Sequence, residues 1–190
     1  MKLLKSICLI AAITLAVPAV AESYRAKPGS SVKIIGTSNI HDWEVESKLI
    51  GGSMELNGDL NKPGKVDASA KALISVVSLK SDKKAMDDIM HAAMKAEEHR
   101  RIEFNLKELV AEGDMKFKAK GELALAGVTK EVSFPVTMEK DGADKMKVKG
   151  ELDTKMTDFG ITPPAPSAAG GLIKTADEVK VVFEWMTQKR

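Results

Sequence analysis

The chain has 190 residues, with 29 basic and 27 acidic side chains, three histidines and one cysteine. Lys2 and Lys5 carry the whole surplus of positive charge, so the rest of the chain is neutral and lacks the basic excess that a nucleic-acid partner would require. Cys8 is the only thiol and lies near the N-terminus, which excludes disulfides, thiolate catalysis and cysteine-ligated metal from the remainder.

Residues 1–21 read as an export signal. Lys2 and Lys5 form a basic start, Ile7 to Val17 is an apolar core too short to span a bilayer comfortably, and Ala19-Val20-Ala21 is a small-residue cleavage pattern. Cleavage is expected after Ala21, giving an exported domain of residues 22–190, long enough for one domain with a sizeable core. No other long apolar run follows, so no stable membrane insertion is expected after cleavage.

The mature part reads as strands with one helical interruption. The first strand is expected near Ser31 to Gly36. The second runs from Trp43 towards Leu56, with Trp43, Val45 and Leu49 on one face. Gly51-Gly52 shifts the phase to Met54 and Leu56, the mark of a bulge or sharp bend. Asn61-Lys62-Pro63-Gly64 is a turn, and Val66, Ala68, Ala70, Ala72, Ile74 and Val76 then alternate strictly. The period changes at Met86, Ile89, Met90, Ala93 and Met94, which predicts an amphipathic helix from Asp82 to Glu98 with Ser81 as N-cap. This helix is a candidate lid or side wall.

The fourth strand carries Ile102, Phe104 and Leu106. The fifth carries Met115, Phe117, Ala119, Gly121, Leu123 and Leu125. A tight return at Gly127-Val128-Thr129-Lys130 leads to the sixth, where Val132, Phe134, Val136 and Met138 alternate with polar residues and Pro135. The seventh has Met146, Val148, Gly150, Leu152 and Met156. A loop with Pro163, Pro164, Pro166, Gly170 and Gly171 follows. The last strand has Val179, Val181, Phe183 and Trp185. Eight strands with one buried face each predict an all-β fold: an antiparallel eight-stranded barrel with a helix between strands 3 and 4.

Lysines identify the outer face. Lys116, Lys118 and Lys120 interleave with Met115, Phe117 and Ala119, and Lys145, Lys147 and Lys149 interleave with Met146 and Val148. Turned inward, such a ladder would bury unpaired charges at a cost of several kcal/mol each. The alternation leaves two interiors open, because a barrel of about eight strands is either filled by its own side chains or holds one small ligand. Ala68, Ala70, Ala72, Ala119, Gly121 and Gly150 at inward positions leave room, and methionines adapt to irregular apolar guests. The same residues also suit barrel taper and gap filling.

Catalytic chemistry is poorly supported. His41, His91 and His99 are the only histidines, and the last two are about 12 Å apart if helical, too far to share a metal. His41 and Asp42, adjacent on a strand, point to opposite faces. No Gly-x-Ser-x-Gly elbow occurs, and Asp158-Phe159-Gly160 lacks the accompanying loops of a kinase. It reads as a structural turn with Phe159 packed inward. No catalytic residue, metal site or cofactor is expected.

Several motifs in order carry a likeness to a known family. Leu123-x-Leu125-x-Gly127-Val128-Thr129-Lys130-x-Val132-x-x-Pro135-Val136 resembles the central signature of the YceI-like family of periplasmic, lipocalin-like lipid-binding barrels. Ile34-Ile35-Gly36-Thr37-Ser38 with His41-Asp42-Trp43, Ser78-Leu79-Lys80-Ser81, and Lys174-Thr175-Ala176-Asp177-Glu178-Val179 are similar to its other elements. Asp87-Asp88 and His99-Arg100 depart from its common pattern. The resemblance implies a cavity that carries an isoprenoid lipid, an isoprenoid quinone or a similar amphiphile without covalent attachment, rather than an enzyme. The expected contact row is Trp43, Val45, Ile74, Phe104, Phe117, Phe134, Val148 and Phe183 on strands, Met90 and Met94 on the helix, and Phe159. The rivals are a periplasmic protein-interaction or stress-response module using the lysine-rich outer face, and an enzyme acting on lipid headgroups. A homodimer or a periplasmic protein partner stays open.

Overall fold

Alternation along each strand becomes one continuous wall in the computed structural model, which describes residues 21–165 and 172–190. Most of the export signal, along with Pro166, Gly170 and Gly171, lies outside the described residues. The strands are β1 (Glu22–Ala26), β2 (Ser31–Ser38), β3 (Trp43–Ser47), β4 (Gly51–Asn57), β5 (Gly64–Ser75), β6 (Arg101–Gly113), β7 (Lys116–Leu125), β8 (Val128–Lys140), β9 (Lys145–Lys155) and β10 (Thr175–Lys189). One helix, α1 (Lys84–Ala93), lies between β5 and β6. All neighbours are antiparallel, in the order β1-β4-β5-β6-β7-β8-β9-β10-β2-β3, and β1 also pairs with β10.

That last pairing closes the barrel. β10 bonds β9 along one edge, while its other edge takes β2 from Thr175 to Glu184 and β1 from Thr187 to Lys189. β1 and β2 are therefore two segments of one stave, and β3 and β4 make another. Ten segments occupy eight positions, the antiparallel eight-stranded barrel expected from the alternation. β1 is an addition that its short, mixed sequence did not reveal.

The break between β3 and β4 falls earlier than expected. Gly52 takes φ 120°, and a β-carbon there would collide with the carbonyl oxygen of Lys71 on β5. The side-chain phase has already reversed before Gly51, because the Ser47 hydroxyl accepts the Leu49 N–H at 3.2 Å and turns the chain. Leu49, expected inside, is 65 % exposed, and Ile50 takes the interior position.

α1 is shorter than the period of its apolar residues predicts. Lys83, not Ser81, is the N-cap, and it makes no side-chain cap bond. Ser81 instead donates from its N–H at 2.7 Å and from its hydroxyl at 2.8 Å to the buried Asp87 carboxylate. The helix stops at Met94 because Lys95 adopts φ 52°. The Ala96 N–H then bonds His91 O at 2.9 Å and the Lys95 N–H bonds Ala92 O at 3.0 Å, a Schellman ending. Lysine in the place usually held by glycine concealed this stop.

The tight return before β8 consists of Ala126 and Gly127, at φ 52° and 85°, so Val128 to Lys130 already belong to the strand. Met115 sits in the β6–β7 turn at φ 57° rather than in β7. The lysine ladder faces out as expected, where Lys120 pairs Glu131 at 3.0 Å, Lys149 pairs Glu139 at 2.9 Å and Lys145 pairs Asp141 at 3.7 Å.

Candidate functional site: an apolar cavity

The inward faces do not fill the barrel. They enclose a cavity of about 460 Å³, within the range of roughly 300–1,000 Å³ usual for small-molecule sites. Every strand position contributes to its wall, along with α1 and the segment after β9. Ala70, Ala72 and Ala119 line it, and each leaves wall area that a larger side chain would have occupied.

The inward glycines act differently from the alanines. A β-carbon on Gly121 would meet Phe104 Cζ at 2.6 Å, and one on Gly150 would meet Phe183 Cζ at 2.6 Å. Gly36 is covered in the same way by the Trp43 ring across the β2–β3 ladder. These glycines let large rings lie against the wall instead of projecting into the lumen. Phe134, between the two glycine-bearing strands, joins the rings into a belt. Its centroid is 5.2 Å from that of Phe104, and 5.9 Å from that of Phe183 in an edge-on arrangement.

Ten of the eleven residues expected from sequence line the cavity: Trp43, Val45, Ile74, Met90, Met94, Phe104, Phe134, Val148, Phe159 and Phe183. Phe117 lies elsewhere. It is completely buried near the opposite end of β7, paired with Val136 and Ala111, and with Met146 it packs the closed end of the barrel. Inward direction alone could not distinguish lumen from floor, since that depends on height along the barrel axis. Ile50, Met86 and Trp185 also line the wall, outside the expected contact row. Met86 was legible in the helical stripe, whereas Ile50 was hidden by the phase reversal.

Polar wall residues gather at the helix-bearing end. Ser38, His41, Lys83, Thr154, Lys155 and Thr175 line the cavity there, which marks this end as the mouth. Glu178, 3.2 Å from Lys155 Nζ, raises that ammonium above the usual lysine range. Phe159 is only 1 % exposed, in a 3-10 turn (Thr157–Phe159) that ends at Gly160 with φ 66°. Asp177 holds this turn, accepting the Thr157 N–H at 2.9 Å and its hydroxyl at 2.6 Å.

α1 closes the wall beside β3. The free edge of β3 is bridged by Glu46 and Lys80, which exchange backbone bonds of 2.8 Å. Met86, Met90 and Met94 present the helix to the cavity. Burial pushes the Asp87 carboxyl up, but the Ser81 bonds, Lys80 at 3.6 Å and His91 outweigh it and hold it below the usual carboxylate range. His91 Nε2 lies 2.9 Å from the Leu79 carbonyl, a second tie between α1 and the segment that precedes it. Among the described residues, no group of three metal-type ligands comes together.

A family model for the YceI-like domain matches residues 27–186. The chain belongs to the YceI-like family. Sequence comparison with curated proteins finds no match. Solved structures share the barrel. BcnA of Burkholderia cenocepacia has 22 % identity and a TM-score of 0.68, over 83 % of this chain and 95 % of that one. A polyisoprenoid-binding domain of Saccharophagus degradans, implicated in plant cell wall breakdown, has 13 % identity and a TM-score of 0.70, over 88 % and 98 %. A YceI protein of Campylobacter jejuni has 16 % identity and a TM-score of 0.58, over 98 % and 99 %. At these identities the likeness is one of fold. For this YceI-like chain, the measure of a guest is its own cavity.

Proposed function

We propose that this YceI-like barrel binds and carries an isoprenoid or similar amphiphilic lipid, non-covalently, in the periplasm, after removal of residues 1–21. The observation that carries this reading is a cavity walled by aliphatic and aromatic side chains, with its polar residues confined to one end. Such a wall offers a hydrocarbon chain contact over its whole length, worth about 0.8 kcal/mol for each buried methylene, less the cost of ordering it. It offers no directional contact to the tail. Selection by tail chemistry is then loose, and length and headgroup set preference. Likeness in fold to a polyisoprenoid-binding domain supports the same class of guest.

The contact residues proposed are the ten that line the lumen, from Trp43 on β3 to Phe183 on β10. Lys83, Lys155 and His41 are placed to meet a headgroup at the mouth. The outer lysines support a partner-binding role less well, because Lys120 and Lys149 are matched by acids of the neighbouring strand and Lys145 by Asp141 in the turn before it. Native mass spectrometry of the protein purified from its host periplasm tests the proposal. A co-purifying lipid that is released on unfolding is expected; an empty barrel that also ignores added polyprenyl lipids would refute it.

A further inference from the structure

Among the described residues, five large apolar side chains are exposed to solvent, Leu49 and Val77 beside three that stand together at one end. Ile40 is 60 % exposed, Leu172 75 % and Ile89 37 %, and all three lie at the mouth. The turns at the closed end carry no such residue among those described. One lip of the mouth is built rather than loose. Asn39 donates from its side-chain amide to Leu172 O at 2.9 Å, accepts the Lys174 N–H at 2.8 Å, and donates its own N–H to Lys174 O at 3.1 Å. These bonds hold the loop bearing Ile40 against the segment bearing Leu172. Ile89, on α1, belongs both to the rim and to the cavity wall. Lys83 and Trp43 also stand at the mouth, where the indole N–H donates to Thr37 O at 3.1 Å.

We propose that this rim, Ile40 and Leu172 on one lip and Ile89 with Lys83 on the other, seats reversibly on a lipid bilayer, so that a hydrocarbon guest passes between leaflet and cavity without crossing water. The inference rests on the reading of the cavity as a lipid site. The composition is that of a membrane interface, with apolar tips to enter the acyl boundary and lysine and tryptophan to stay at headgroup depth. Continuity chooses the occupant. Through Ile89 and Trp43 the rim runs into the cavity wall, and a leaflet is the apolar phase that this wall continues. A protein seated there would shut the entrance that the guest must use. Three aliphatic tips give weak, reversible docking and not an anchor.

Vesicle flotation with phosphatidylethanolamine and phosphatidylglycerol, together with uptake of a fluorescent farnesyl-chain probe, tests this. Wild-type protein should float with the vesicles and draw the probe from them. I40S/L172S should float about tenfold less and load from vesicles about tenfold more slowly, as expected from removing two inserting side chains. L49S, which removes an equally exposed leucine from the barrel flank, should behave as wild type. Binding of the probe from water should be equal in all three. If I40S/L172S floats and loads normally, or if wild type binds the probe from water but ignores vesicles, the docking proposal is overturned and the cavity reading stands. If I40S/L172S instead dissociates an oligomer in solution, the rim is an interface between copies and the proposal fails. Absence of probe binding from water in every variant sinks the cavity reading itself.

Discussion

The ring of Phe183 lies across the backbone of Gly150, its register partner on β9, so that a β-carbon at 150 would stand 2.6 Å from Cζ and 2.8 Å from Cε1. The Pro135 carbonyl oxygen would stand 3.0 Å away on the other side. One residue without a side chain thus sets the pose of one of the largest residues in the wall. Gly150→Ala should drive the ring towards the lumen and destabilise the fold by roughly 1–3 kcal/mol, the usual cost of overpacking. A double-mutant cycle with Phe183→Leu in urea should recover most of that loss. Simple additivity of the two changes would show that the ring is not the obstacle.

Ala72 lines the lumen from β5, with Gly52 on β4 and Phe104 on β6 as its register partners. Ala72→Trp should occupy cavity volume and abolish binding of a polyprenyl probe, while far-ultraviolet circular dichroism still reports a barrel. Retention of wild-type affinity would place the guest elsewhere.

Asp87 couples α1 to pH. Its folded carboxyl lies below the ordinary range, while an unfolded aspartate titrates near about 3.9. The stabilisation is therefore present above that value and is lost as pH falls through the folded one. Asp87→Asn should cost about 1–3 kcal/mol at neutral pH, because it weakens charge-assisted bonds from Ser81 in a buried place. It should also flatten the decline of the urea midpoint below about pH 4. An unchanged acid limb would remove Asp87 from the account.

Tyr24 predicts an alkaline limb. Burial, and then its 2.6 Å bond to Glu22, push the phenol up to about 12, against about 10 in an unfolded chain. A raised value means that stability is complete below the unfolded pKa and is lost as pH climbs through the folded one. The thermal midpoint should fall between about pH 10 and 12, and Tyr24→Phe should remove that part of the fall. An identical decline in both proteins would assign it to other groups.

The closed wall was legible because period-two alternation repeats on strand after strand, and the lysine ladders fixed which side meets water. Seven wall residues on strands followed from the same rule, and Met90 and Met94 from the helical stripe. Two of the errors share a physical origin, since each arises where the backbone leaves its regular period. Leu49 and Ile50 exchanged faces because a serine hydroxyl turned the chain before the glycines. α1 was drawn too long because Lys95 adopts a left-handed conformation that its sequence does not advertise. Phe117 was put in the lumen because alternation specifies direction and not depth.

By itself, the order of apolar and polar residues determined a barrel with an oily inner face, since burying a charged row costs more than any rearrangement would return. Only the tertiary structure decided that this interior stays hollow. Whether an inward glycine means space or a seat for a ring depends on which side chain crosses to it from the neighbouring strand, as Phe104, Phe183 and Trp43 do here. That neighbour is set by register and by closure of the wall, which no single segment of the chain contains.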